Sequence, residues 1–102
     1  MTMKESDLLK LSDRCEEVSR VLKALSHPVR LKTLCALVDA EKTVNELVDF
    51  GGISQSAMSQ FLSRLKEEGA VTCRREGTFV YYTLSDPKLK RLIGSLKEIF
   101  CK

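Results

Sequence analysis

Four cysteines, one histidine and one helix face of serines and glutamine are the side chains in this 102-residue chain best equipped for chemistry. Cys15, Cys35, Cys73 and Cys101 are the thiols, and His27 is the sole imidazole. The thiols are widely scattered and no Cys-x-x-Cys pair occurs, so a thiol–disulfide enzyme has no motif to stand on. Cys15 falls on the apolar stripe of an N-terminal helical pattern, which predicts a small buried hydrophobe. Cys73 alternates with Val71 and Arg75 in a strand-like run, which predicts a half-buried structural thiol. Cys35 sits mid-helix on an apolar face and, taken alone, reads as core. Cys101 differs. It lies beyond the edge of the last helix's apolar stripe, above Lys97 and Gly94, where a core role has little support. His27 precedes Pro28 and reads as a helix-start residue rather than a ligand.

A second set of side chains points to nucleic acid. Over 54–68, Met58, Phe61, Leu62 and Leu65 recur at helical spacing and make one apolar face. At roughly 100° per residue, the opposite face carries Ser56, Ser59, Gln60 and Ser63, with no carboxylate until Glu67. Short hydroxyl and amide groups bond base edges or phosphates without bulk or repulsion, so this helix fits a major groove. A merely solvated face would favour Lys and Glu. Arg74 and Arg75 stand just before the tip of a hairpin pattern, placed for the phosphate backbone or the minor groove. A plain surface hairpin with two solvated arginines is the competing description.

Five helices and a hairpin are needed to position these groups. An amphipathic helix spans about 5–25, striped by Leu8, Leu11, Cys15, Val18, Leu22 and Leu25. Ser26-His27-Pro28 ends it and opens a helix over 28–40, where proline's missing N–H costs nothing at the first position. Leu31, Leu34, Cys35 and Val38 are that helix's expected buried set. Thr43 and Glu46 have capping-box spacing for a short helix over 44–50. Gly51 and Gly52 break it, Ser54 caps the next helix, and Gly69 supplies a left-handed stop. Val71–Glu76 and Phe79–Leu84 flank Gly77-Thr78 as a tight hairpin. Ser85-Asp86-Pro87 starts a last helix to about 101, striped by Leu89, Leu92, Ile93, Leu96, Ile99 and Phe100. The first and last helices carry more apolar surface than one small core uses, so they are the expected homodimer interface. A two-fold dimer presents recognition helices to adjacent major-groove turns, about 34 Å apart.

The reading is one mainly α domain over 1–102 with a β-hairpin wing: a winged helix-turn-helix, with the two-helix unit at about 43–68 and the wing at about 71–84. A hydrophobic content of 43% argues against disorder. No apolar run is long enough to span a membrane, and the charged MTMKESDLLK start does not read as a signal peptide. A cytoplasmic protein with reduced thiols is expected. The net charge of +3 allows DNA binding without establishing it.

Three stretches carry a family resemblance: ALSHPVRLKTLCAL (24–37), SQSAMSQFLSRLKEEGAV (54–71) and RREGTFVYYTLSD (74–86). With the order of elements, they resemble the ArsR/SmtB family of dimeric winged-helix repressors over nearly the whole chain. The resemblance implies double-stranded operator DNA as partner and no enzymatic activity. It implies Gln55, Ser56, Ser59 and Gln60 as major-groove contacts, and Arg74 and Arg75 as backbone or minor-groove contacts. Phe61 departs from the His or Gln common there, but it lies on the apolar face.

The resemblance also frames the effector. Family metal sites use cysteines in the first helix of the two-helix unit, here VNELVDF, or Asp and His pairs on the last helix, which here has no histidine. Neither ligand set is present, so no metal site and no cofactor are expected. The HlyU/BigR/SqrR-like branch instead carries one cysteine in the second helix and one near the end of the last. Cys35 and Cys101 fill those positions. The resemblance therefore implies a thiol switch in which oxidant or reactive sulfur bridges the pair and weakens DNA binding. A thiophilic metal or arsenical as inducer is the alternative, and a winged helix that binds only protein is a further one.

Overall fold

Leucines at three- and four-residue spacing build the interior. Leu34, Leu62 and Leu65 are fully buried with Met58, and Leu47, Val71 and Leu89 close around them. The computed structural model describes residues 2–101. Its helices are α1 (Glu5–Asp13), α2 (Cys15–Ala24), α3 (Pro28–Ala36), α4 (Val44–Gly51), α5 (Gln55–Glu67) and α6 (Pro87–Phe100). Its strands are β1 (Lys42–Thr43), β2 (Val71–Glu76) and β3 (Phe79–Leu84), in one antiparallel sheet of order β1-β3-β2. The architecture is a winged helix-turn-helix. α4 and α5 form the two-helix unit, and β2 and β3 form the wing.

Local chemistry explains the boundaries. The Thr43 hydroxyl accepts from the Glu46 N–H at 3.3 Å, while the Glu46 carboxylate accepts from the Thr43 N–H at 3.0 Å. Both halves of the capping box are thus made, and these bonds hold the Glu46 carboxyl below its usual range. Gly52 ends α4 with φ 73°, a left-handed conformation that a side chain would strain. The Ser54 hydroxyl accepts from the Ala57 N–H at 3.1 Å to start α5. His27 Nδ1 accepts from the Val29 N–H at 3.1 Å, so the imidazole is a helix cap, as its place before Pro28 suggests. We expect Thr43→Ala to cost about 1 kcal/mol and to lower the melting temperature by roughly 5 °C, measured by circular dichroism.

Three expectations are corrected. The helix expected over 5–25 is two helices, broken at Arg14, whose N–H bonds back to the Leu11 carbonyl at 3.0 Å. Ser12 and Asp13 precede the break, and such side chains compete with helical backbone bonding. Cys15 is exposed rather than buried, with its thiol donating to the Leu11 carbonyl at 3.3 Å. The helix from Pro28 stops at Ala36, and Cys35 is exposed rather than core. The buried arc of α3 is Thr33 and Leu34, continued by Leu37, and Cys35 stands at its edge. The sequence also gave no sign of β1, whose two residues pair with Tyr82 and Tyr81 of β3.

Among the described residues α1 buries none of its side chains. The radius of gyration is 15.3 Å, against about 13 Å for a compact chain of this length. α1 therefore stands off the core, and Leu8, Leu9 and Leu11 are 44% to 60% exposed. Leu22 on α2 and Ile99 and Phe100 at the end of α6 are also bare. Among the described residues no helix is long and apolar enough to cross a membrane.

Candidate nucleic-acid interface and thiol groove

α5 is seated by three fixed points. Met58, Leu62 and Leu65 anchor its inner face. The Thr33 hydroxyl on α3 donates to the Val29 carbonyl at 2.8 Å and lies 3.8 Å from the Met58 sulfur. Arg30, also on α3, reaches across to the Glu68 carboxylate at 3.0 Å; its side chain is 14% exposed and that of Glu68 43%. Both terminal guanidinium nitrogens reach the carboxylate, which fixes the geometry of this pair. Held this way, α5 turns Gln55, Ser56, Gln60 and Ser63 to solvent, with Ser59 half-buried beside them. Ser59, Gln60, Ser63 and Arg64 line one shallow depression. The first turn has no acidic residue, and Arg64 and Lys66 stand in the last. Phe61 faces inward against His27, with ring centroids 5.6 Å apart.

The two wing arginines have different environments. Strand alternation sends Arg74 and Arg75 to opposite faces of the hairpin. Arg74 Nε donates to Glu41 at 2.9 Å, Nη2 reaches the same carboxylate, and Nη1 donates to Glu76 at 2.6 Å. Its guanidinium carbon lies 4.5 Å from the Tyr81 ring centroid. The bond from Arg74 holds the Glu41 carboxyl below its usual range. Arg75 is exposed and, among the described residues, has no ion pair. Sequence spacing could not show that Glu41, in the connection before β1, is Arg74's partner 33 positions away.

The thiols also separate. Cys35 and Cys101 line one apolar groove of about 470 Å³ between α3 and the end of α6, floored by Leu31, Val38 and Ile93 and flanked by the exposed Phe100. Both thiols are free. Burial against that floor pushes the Cys35 thiol up, and the neighbouring Cys101 pushes it further. Cys73 is half-buried on β2, as its strand alternation predicts, and Cys15 stands apart on α2. Among the described residues no three His, Cys, Asp or Glu side chains cluster as metal ligands would.

The architecture and the polar face of α5 define a winged helix-turn-helix DNA-binding regulator of transcription. The family described as bacterial regulatory protein, arsR family, matches residues 27–72, from the cap of α3 through α5 into β2. The biofilm growth-associated repressor of Xylella fastidiosa is 43% identical over 91 residues, covering 89% of this chain and 80% of the relative. The crystal structure of the transcriptional repressor BigR from Xylella fastidiosa overlays with a TM-score of 0.86 at 42% identity, over 98% of this chain and 99% of that one. Reduced HlyU from Vibrio cholerae N16961 overlays with a TM-score of 0.84 at 36% identity, over 91% and 98%. The chain belongs to the ArsR family of bacterial regulatory proteins.

Proposed function

We propose that this chain is a homodimeric repressor whose operator affinity falls when oxidant or reactive sulfur bridges Cys35 and Cys101. One observation carries the switch: two free thiols far apart in the sequence, Cys35 and Cys101, line the same groove. Burial in the groove pushes the Cys35 thiol up, which disfavours it as the first nucleophile, and we assign the first attack to Cys101 at the open end of the groove. Its thiolate takes the outer sulfur of a persulfide and releases the carrier thiolate. Cys35 then attacks the inner sulfur of the new Cys101 persulfide and expels hydrosulfide, leaving a disulfide. Where a second persulfide first transfers its outer sulfur to Cys35 and releases its carrier thiolate, the Cys35 persulfide attacks the inner sulfur of the Cys101 persulfide, expels hydrosulfide and closes a trisulfide.

The consequence follows from what α3 and α6 touch. α3 seats the recognition helix through Arg30 and Thr33, while α6 ends in bare Ile99 and Phe100. A covalent tie between them fixes the dimer-forming end against the DNA-reading end. The bare leucines of α1 and α2 supply the rest of the proposed dimer surface, which a second copy covers. Gln55, Ser56, Ser59 and Gln60 read the major groove, and Arg75 meets a phosphate.

The test is fluorescence anisotropy on duplex DNA from immediately upstream of the encoding gene. Reduced protein binds, protein treated with glutathione persulfide releases, and reductant restores binding. Equal affinity in all three states sinks the switch and leaves the DNA-binding class intact. In the same assay Arg75→Gln lowers the slope of log affinity against log salt by about one, because one phosphate contact is lost. An unchanged slope removes Arg75 from the interface.

A further inference from the structure

We propose that Arg74 makes no DNA contact and that Glu41 is a positioning residue, clamping Arg74 so that the wing is held in register with the two-helix unit. All three guanidinium nitrogens of Arg74 are already engaged by carboxylates. Tyr81 sits under its flat face. A phosphate would have to displace two carboxylates that are themselves acceptors. Single exposed ion pairs contribute little, but a fork with both its edges filled and its face stacked has a defined geometry.

What the clamp fixes is visible in its attachments. Glu41 stands one residue before β1, and β1 pairs Lys42 with Tyr82 and Thr43 with Tyr81. Thr43 is also the cap of α4. The strand that carries Tyr81 thus receives a two-residue backbone pairing from the start of the two-helix unit. The Glu41–Arg74 contact adds a side-chain tie across the same seam, from the first strand's approach to β2 beyond β3. Two backbone pairs alone are a weak hinge, because strands this short carry little stability by themselves. With Arg74 tied inward, Arg75 on the opposite face is the cation the wing presents. The inference rests on the DNA-binding class alone and is independent of the thiol switch.

The electrostatic sign separates this role from simple charge. Removing an acidic residue from a DNA-binding protein should tighten binding if only long-range charge matters. We expect Glu41→Gln to weaken binding to the upstream duplex by about fivefold instead, with circular dichroism unchanged. Arg74→Gln should weaken binding comparably while leaving the salt slope at the wild-type value, since no phosphate contact is lost. Arg74→Glu should lose about tenfold, and the swapped pair Glu41→Arg with Arg74→Glu should recover to within about threefold of wild type. The swap rescues a clamp but not a phosphate contact, which would face a carboxylate. Glu41→Gln binding as tightly as wild type or more tightly overturns the proposal. So does a salt slope reduced by about one in Arg74→Gln, or a swapped pair no better than Arg74→Glu.

Discussion

Cys35→Ser protein is expected to bind the upstream duplex like reduced wild type and to keep binding after persulfide treatment. Serine replaces the sulfur with a smaller oxygen in the same geometry, and Cys35 is exposed, so the fold remains. The Cys101 thiol can still take one sulfur from the carrier, but without Cys35 no bridge closes. Mass spectrometry should find Cys101 carrying a persulfide in this variant and a Cys35–Cys101 cross-link in wild type. The effect is large because it is all or none: if bridging lowers wild-type affinity by about a hundredfold, roughly 2.7 kcal/mol of coupling disappears with one atom. Cys101→Ser should be equally silent and should also fail to take up sulfur. Reversible release by Cys35→Ser would discard the pair and leave Cys101 acting alone. The pH dependence has a definite direction. Cys35 is pushed up by burial and by its neighbour, so its thiolate is scarce at neutral pH. Bridge closure should therefore accelerate as pH rises and continue to do so above the usual cysteine range.

The parts of this molecule that were legible in sequence are those governed by neighbours in sequence. The wing strands have the ends that alternation and Gly77-Thr78 predict, and α5 starts after Ser54 and ends before Gly69. Caps and tight turns depend on residues two to four positions apart, so spacing alone finds them. The failures share the opposite cause. On a helical wheel Leu31, Leu34 and Val38 surround Cys35, which points to the core. Whether it is covered depends on how far the last turn of α6 reaches, and that turn leaves a groove. Arg74 and Arg75 look alike in sequence, and only the arrival of Glu41 from the far side of β1 distinguishes them. β1 itself is two residues long, too short to show an alternating pattern. The break at Arg14 is a contest between a continuous apolar stripe and two helix-disfavouring residues, in which the local backbone preference won.

Leu62→Ala should produce a large loss of stability through truncation of the recognition helix's buried face. Leu62 has no exposed surface, and it lies between Met58 and Leu65 on the inner face of α5. Truncation removes three carbons' worth of burial and leaves a cavity that the neighbours fill only in part, costing about 3 kcal/mol. For a domain whose total stability is of order 5–15 kcal/mol, that is a large fraction. The melting temperature should fall on the order of 15 °C, measured at fixed protein concentration because the proposed dimer would make the transition depend on it. DNA affinity should fall as well, since the same side chain sets the depth at which α5 sits against Arg30 and Thr33 and so the angle of Ser59 and Gln60. Phe61→Ala makes the useful contrast. Phe61 is only half-buried against His27, so its loss should cost clearly less despite the larger ring. Equal losses in the two variants would mean that Phe61 is covered by something beyond this chain, and a second copy at the α3 surface would then be the first place to look.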